Sequence, residues 1–370
     1  MLLGDKMKIC LVAPIPPPYG GIANWTMLLK AHIQKQSDVQ LLEINTAPKK
    51  RTLDGRTLFD RVVVQGLAML KHNRALKSLI TKEKPDTVHI TTSGQLAVFR
   101  DTLLLSTAKK RSVHSVYHIH FGRIPEIAHQ NTAEWKRIKK AMLLSDNVIA
   151  IDKKTEAAIQ KYAPEVSVCY IPNPFDLEKL EQKRILPRQN RKEEIVFLGW
   201  VVNTKGIEEL LSAWALLSSE YPEHTLRVIG PCSADYLHYL KSHFPCENVV
   251  FDGEKEHDEA LDILASGEVF VLPSYTEGFP NAVLEAMALE LPIVATDVGA
   301  IPDMLEGCGM VIPAQNPQAL YEALRAVLSS PGESKALAKK ARLRLENNYC
   351  IDCVFNAYKS IWTKGHTYDL

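Results

Sequence analysis

Residues 274–300 read SYTEGFPNAVLEAMALELPIVATDVGA. They follow VFVLP (269–273), a short apolar run of the kind that forms a buried strand. SYTEGF is then a loop, Pro280 and Asn281 start a helix, and PIVATDVG is the next strand. One acid, Glu277, stands in the loop, and a second, Glu285, lies inside the apolar helix. A helix that only fills a core needs neither. The first N–H groups of such a helix lack intrahelical partners, and its dipole makes that end positive, which suits a diphosphate. Glu277 is placed to accept hydrogen bonds from hydroxyls beside that diphosphate. Glu285, roughly 6 Å along the axis from Asn281, is placed to accept both hydroxyls of a ribose. As isolated residues, the two acids fit a solvated loop and a helix surface equally well.

The surrounding chain repeats the strand–helix alternation. Upstream, KICLVAP, VQLLEI, DTVHITT, SVYHIHF, NVIAID and VSVCYIPN read as strands separated by amphipathic helices. A polar, charge-rich stretch at 177–194, LEKLEQKRILPRQNRKEE, interrupts the pattern and reads as a linker. The alternation then restarts with IVFLGW, TLRVIGP, NVVFDG and VFVLPSY as strands, and the C-terminal residues read as helices. This predicts an α/β protein with two doubly wound domains. The expected divisions are 1–176, the linker 177–194, 195–348, and a C-terminal helix at 349–370 that packs back on the first domain. Ligands of such sheets bind at the carboxyl ends of strands, so a cleft between the domains is the expected site.

At 370 residues, each half is long enough to bury a core of its own. No apolar run has the length of a membrane span, and the start lacks a signal-peptide pattern. Both point to a cytoplasmic protein. The scattered cysteines suit reduced core thiols. Cys350 and Cys353 form a C-x-x-C without the second pair or the histidines that a zinc site needs. Charge is uneven: residues 1–180 hold 27 Lys and Arg against 16 Asp and Glu, which leaves 17 against 27 in the remainder. A basic first half, with KHNRALK, KKR at 109–111 and EWKRIKK, fits an anionic partner such as the inner face of a membrane, although solvated helix faces also carry such charges.

EGFPNAVLEAMALELPIVATDVGAIPDML closely resembles the retaining glycosyltransferases of family four, which have the GT-B fold. The residues that carry the resemblance are two Glu separated by seven residues, Gly-Phe after the first acid, a Glu-Ala-Met-Ala helix, a strand, and a turn from Gly to Pro-Asp. PPPYGGIANW, IPNPFD (171–176), FLGWVVNTKGIEELLSAW (197–214) and LRVIGP (226–231) extend the likeness over nearly the whole chain. It implies two Rossmann-like domains facing across a cleft, the first binding the acceptor and the second the nucleotide sugar. It implies that Gly20 and Gly21 face the donor diphosphate and that Lys205 binds it. Glu277 with Gly278, Phe279, Pro280 and Asn281 would hold the transferred sugar and diphosphate. Glu285 would hold the nucleoside, with Gly230 beneath it. A His near the reaction centre corresponds to His120 or, less well placed, His118. Asn173 matches a turn at the domain junction. Trp200 stands where the family has Arg, so Lys205 lacks a bidentate companion unless another cation such as Arg123 replaces it.

The implied reaction moves a sugar from a nucleotide diphosphate to an acceptor hydroxyl with retention, and the protein's part is to stabilise the departing diphosphate. No cofactor or metal is implied, because no Asp-x-Asp cluster accompanies the site. The opening PPPYGGIANW is similar to transferases of capsule, exopolysaccharide or lipopolysaccharide assembly, which suggests a lipid-linked or saccharide acceptor and no nucleic acid. A sugar-nucleotide epimerase of the same fold and a non-catalytic binding protein stay open as alternatives. An NAD-dependent dehydrogenase is disfavoured, since no G-x-G-x-x-G follows the first strand.

Overall fold

Strand β1 (Met7–Ala13) shows how the first sheet is built. Ile9, Leu11 and Ala13 pack into one apolar cluster, while Cys10 and Val12 pack into another. Side chains alternate along a strand, so both faces of this sheet are covered. The computed structural model describes residues 6–17, 20–47, 58–178, 180 and 192–363. Within them the chain forms two compact units. One runs to Pro174 and regains the chain from Ile351, and the other is Phe175–Cys350.

In the first unit β1 is followed by α1 (Gly21–Gln34), β2 (Val39–Asn45), α2 (Leu58–Glu83), β3 (Thr87–Thr92) and α3 (Ala97–Lys110). Then come β4 (His114–Ile119), α4 (Ile124–His129), α5 (Ala133–Met142), β5 (Asn147–Ala150), α6 (Lys153–Tyr162) and β6 (Val168–Tyr170). The strands lie in the order β2-β1-β3-β4-β5-β6, all parallel. The chain reverses direction across the sheet between β1 and β3. The loops after these strands therefore flank the crevice in which such sheets take ligands.

The second unit contains β7 (Glu194–Leu198), α7 (Ile207–Glu220), β8 (Thr225–Ile229), α8 (Ala234–His243), β9 (Val249–Gly253), α9 (His257–Ser266) and β10 (Val269–Leu272). It continues with α10 (Asn281–Ala288), β11 (Ile293–Thr296), α11 (Ile301–Leu305), β12 (Met310–Ile312), α12 (Pro317–Ser329) and α13 (Pro331–Asn348). Its parallel order is β12-β11-β10-β7-β8-β9, with the reversal between β7 and β10. The two loops at that reversal are those of Lys205 and Glu277. Among the described residues, no helix is long and apolar enough to cross a membrane.

The stretch at 177–194 lies mostly outside the described residues. β12 and α11 go beyond the sequence reading. α13 stops at Asn348, and α14 (Ile351–Trp362) starts anew. At the break the Phe175 N–H donates to the Tyr349 carbonyl at 2.7 Å, and Phe175 pairs with Cys350 as a parallel bridge. A strand-like contact thus takes the backbone groups that would have continued the helix, after two asparagines of low helix propensity. α14 covers the α1 face of the first sheet, burying Val354, Phe355, Tyr358, Ile361 and Trp362 there. The C-x-x-C at 350–353, which the sequence reading set apart from the scattered thiols and denied a zinc site, is a covalent pair. Cys350 and Cys353 are joined as a disulfide, because an i, i+3 spacing at a helix start brings two side chains to one face. Cys10, Cys169, Cys232, Cys246 and Cys308 are free.

Candidate active site

Backbone sterics bring the β7 and β10 loops together. After β7 the chain makes a 3-10 turn over Asn203–Lys205 and enters α7 through Gly206 at φ 70°. A Cβ on Gly206 would stand 2.1 Å from the Pro273 carbonyl oxygen. The Tyr275 N–H donates to the Thr204 carbonyl at 2.9 Å, which closes the seam. Gly206→Ala combines a left-handed backbone with a collision against main chain. It should cost about 2 kcal/mol or more and displace Lys205, read as a lower urea midpoint together with weaker nucleotide binding. Wild-type stability in this variant would contradict the seam.

Lys205 and Glu277 meet there. Lys205 Nζ lies 2.5 Å from Glu277 Oε1, and the Ser274 hydroxyl donates to the same oxygen at 2.7 Å. The Ser274 carbonyl accepts from the Thr296 hydroxyl, which ties the loop to β11. Glu277 Oε2 has no partner among the described residues, and an ammonium with three protons has capacity beyond one carboxylate. The sequence reading gave Lys205 and Glu277 separate duties, whereas the structure joins them in one ion pair. Gly299, at φ 54°, packs beneath this loop. A Cβ there would stand 2.4 Å from the Glu277 carbonyl oxygen, and the Ala300 N–H donates to the Gly278 carbonyl.

Helix α10 follows directly. Pro280 is its N-cap and no side chain caps it; the Val283 N–H donates to the Pro280 carbonyl at 3.2 Å, which leaves the N–H groups of Asn281 and Ala282 as those with capacity for a ligand. Its other end is held by Arg342, whose guanidinium donates to the Ala288 carbonyl at 2.8 Å. Phe279 is buried and meets Tyr349 edge to face. Glu285, one turn into α10, is 7% exposed. Burial pushes its carboxyl up to about 7, and His257 Nε2 lies 3.6 Å from Oε1. A buried carboxyl with so little compensation is expected where a ligand supplies the missing partners. Gly230, at φ 143°, lies at the end of β8, where a Cβ would collide with the Gly199 carbonyl at 1.8 Å. Trp200 follows β7 and is half exposed.

In the first unit, Gly20 and Gly21 begin α1, and nothing lies within 4 Å of a Cβ built on Gly21. His118 is the fifth residue of β4 and fully buried, while His120 follows the strand's last residue and is partly exposed. Their ring centroids lie 3.9 Å apart, with the planes tilted by 39°. Arg123 is not a spare cation. Its guanidinium donates to both Glu134 oxygens, at 3.2 and 3.1 Å, and lies over the Phe121 ring. Asn173 is buried, its Oδ1 without a partner among the described residues.

The structure thus brings Lys205, Glu277, Gly278, Phe279, Pro280, Asn281 and Glu285 to the loops and helix α10 at the reversal of the second sheet, and His118 and His120 to the end of β4 in the first unit. Sequence reasoning missed Ser274, which seats Glu277, and His257, which faces Glu285. It also missed His89 on β3, a neighbour of His118, although a histidine in each of two apolar strand runs was a usable signal. Among the described residues, no group of three or more His, Cys, Asp or Glu is arranged to hold a metal.

Comparison with known proteins identifies the family and the fold. The family model for glycosyl transferases group 1 matches residues 178–344, and that for glycosyltransferase family 4 matches 19–179. A putative teichuronic acid biosynthesis glycosyltransferase of Bacillus subtilis is 26% identical over 286 residues, 72% of this chain and 69% of that protein. A capsular polysaccharide biosynthesis glycosyltransferase of Staphylococcus aureus is 28% identical over 199 residues, 51% of this chain and 50% of that protein. Among solved structures, Anabaena HepE in complex with UDP superposes with a TM-score of 0.73 at 15% identity, covering 97% of this chain and 100% of that one. That likeness shows a common fold.

Proposed function

Because the chain belongs to the family four, group 1 glycosyltransferases, we propose that it transfers a sugar from a nucleoside diphosphate donor to a hydroxyl of a saccharide acceptor, with retention, in assembly of a bacterial surface polysaccharide. The observation that carries this reading is the grouping of Lys205, Glu277, Glu285 and the uncapped start of α10 at the reversal of the second sheet. The capsular and teichuronic acid relatives support the product class, and HepE with UDP supports the donor class.

Each group has a task in this reading. Lys205 and the first N–H groups of α10 take up the negative charge that grows on the leaving diphosphate. Glu285 accepts the ribose hydroxyls, and these supply the partners its buried carboxyl lacks. Glu277 keeps Oε1 on Lys205 and Ser274 and offers Oε2 to a hydroxyl of the transferred sugar. One ion pair thereby couples sugar position to diphosphate position. In the first unit His120 serves the transfer step, and Gly21, with Gly20 before it, offers unhindered backbone to phosphate.

The acceptor is lipid-linked in this proposal, and the protein works at the inner, anionic face of a membrane. Support comes from the α3 and α5 region, where exposed Leu96, Phe99 and Leu143 accompany exposed Lys109, Lys110, Arg111, Lys136, Arg137 and Lys140. The Arg137 guanidinium lies 5.4 Å over the Phe99 ring. Apolar side chains ringed by cations suit an interface of anionic headgroups.

A panel of UDP-, GDP- and ADP-sugars, read by release of free nucleoside diphosphate, tests the activity. One donor should be turned over faster with a saccharide acceptor than without. Failure of every donor would defeat the reading and favour a binding protein of the same fold. The same assay in EDTA should keep most of its rate, since Lys205 and α10 already supply positive charge to the diphosphate. Complete loss, restored by magnesium or manganese, would show that a metal performs that task.

A further inference from the structure

Trp25, His89, His118, His120, Tyr358 and Trp362 form one aromatic cluster on the α1 and α14 face of the first sheet. β-strand alternation puts the histidines there. His89 of β3 and His118 of β4 point away from the cluster that takes Val88, Ile90, Tyr117 and Ile119. The Trp362 indole N–H donates to His89 Nδ1 at 3.0 Å, and His89 Nε2 lies 3.2 Å from His118 Nδ1. Trp25 donates to the Tyr358 hydroxyl at 3.0 Å, which fixes the tryptophan whose ring meets both His118 and His120.

The direction of this chain follows from its first member. An indole N–H can only donate. His89 Nδ1 is therefore the acceptor, and in a neutral ring its proton sits on Nε2. That N–H donates to His118 Nδ1, which places the proton of His118 on its own Nε2. Burial keeps the rings neutral, pushing His89 and His120 down to about 3 and His118 well below its ordinary value. The His118 Nε2 atom is buried and has no partner among the described residues, and the same holds for His120 Nε2 in the tilted ring against it. A buried donor left unpaired is costly, so its place implies an oxygen that arrives with a ligand.

We propose that Trp362 and His89 are positioning residues which lock His118 as the Nε2–H tautomer and present it, beside His120, as a preset neutral donor to a sugar hydroxyl. The assignment rests on the glycosyl-transfer reading above. It makes the last turn of α14, carried by the extreme C-terminal part of the described chain, a working part of the transfer site. A neutral N–H donor fits a hydroxyl without offering a charge that would draw water or phosphate in its place.

Histidine-selective 15N labelling reads the tautomers directly. In the wild type, His89 and His118 should both show protonated Nε2 and bare Nδ1. A His118 found as the Nδ1–H form overturns the relay whatever the enzyme's activity. The His118 Nε2–H resonance should move when the donor sugar nucleotide that the wild type turns over is added, and stay in place with its nucleoside diphosphate alone. A resonance unmoved by that donor means water fills the position and overturns the ligand. His89→Gln keeps an oxygen to accept from Trp362 and an N–H to donate to His118, while His89→Leu keeps neither. The leucine variant should lose transfer about tenfold, the worth of one hydrogen bond, with diphosphate affinity unchanged, and the glutamine variant should recover most of that rate. Trp362→Phe should randomise the His89 tautomer and lower transfer in the same way. Equal rates in the Gln and Leu variants would reduce the cluster to packing. If the wild type turns over no donor, the positioning role falls with the transfer reading, and the tautomers measured in the free protein still report on the relay.

Discussion

Glu277→Gln should bind free nucleoside diphosphate nearly as well as the wild type and lose roughly 100-fold in single-turnover transfer. The substitution keeps the shape of the side chain and an oxygen for Ser274 and Lys205. It removes the negative charge that holds Lys205 at 2.5 Å and that strengthens a bond from Oε2 to a sugar hydroxyl. In a largely buried site such a charge counts for more than in water. A loss confined to turnover marks an interaction made with the transferred sugar in the transition state. Lys205→Ala should give the opposite pattern, losing the bare diphosphate. If Glu277→Gln transfers at the wild-type rate, or loses the bare nucleotide as severely as Lys205→Ala, the division of tasks is wrong.

Glu285→Gln should be more stable than the wild type at alkaline pH and bind nucleotide less well. Its carboxyl titrates near 7 in the folded chain against an ordinary value of 4.5. Between those values the folded state holds a proton that the unfolded state has lost. Stability therefore falls as pH rises from the ordinary value to about 7 and stays lowered above it. Glutamine does not titrate, so the variant should gain up to about 3 kcal/mol at pH 8 and nothing below pH 4. The same change removes the charged acceptor for the ribose, which should weaken nucleotide binding about tenfold. Urea unfolding at pH 4 and pH 8 measures the first effect and calorimetry the second. A gain that is independent of pH, or a loss of stability at pH 8, would show that Glu285 is not held there as a strained, ligand-seeking acid.

Much of this was legible in the chain because strand runs such as VFVLP and IVFLG are short, apolar and punctuated by Gly or Pro, and because the acids of SYTEGFPNAVLEAM break a pattern that packing alone would produce. Other features depend on partners distant in sequence. The break after Asn348 follows from a bridge to Phe175, 175 positions earlier. β12 is three residues long and is recruited by the edge of β11 rather than by its own composition. The Lys205–Glu277 pair spans 72 residues and exists because Gly206 lets two loops touch. Arg123 looked available by its position near the histidines, and only the fold shows Glu134 holding it. His89 is linked to the histidines of the site only once its strand is set beside that of His118 and Trp362 is packed against it.

Calorimetric titration of UDP, GDP and ADP into the wild type, Lys205→Ala and His120→Ala tests the central claim most directly, that the loops at the reversal of the second sheet form a nucleoside diphosphate site. The account predicts that one diphosphate binds the wild type, that Lys205→Ala weakens it about tenfold or more as a charge-assisted contact is lost, and that His120→Ala leaves it unchanged. A wild type that binds none of the three, or a Lys205→Ala variant that binds as the wild type does, would contradict it.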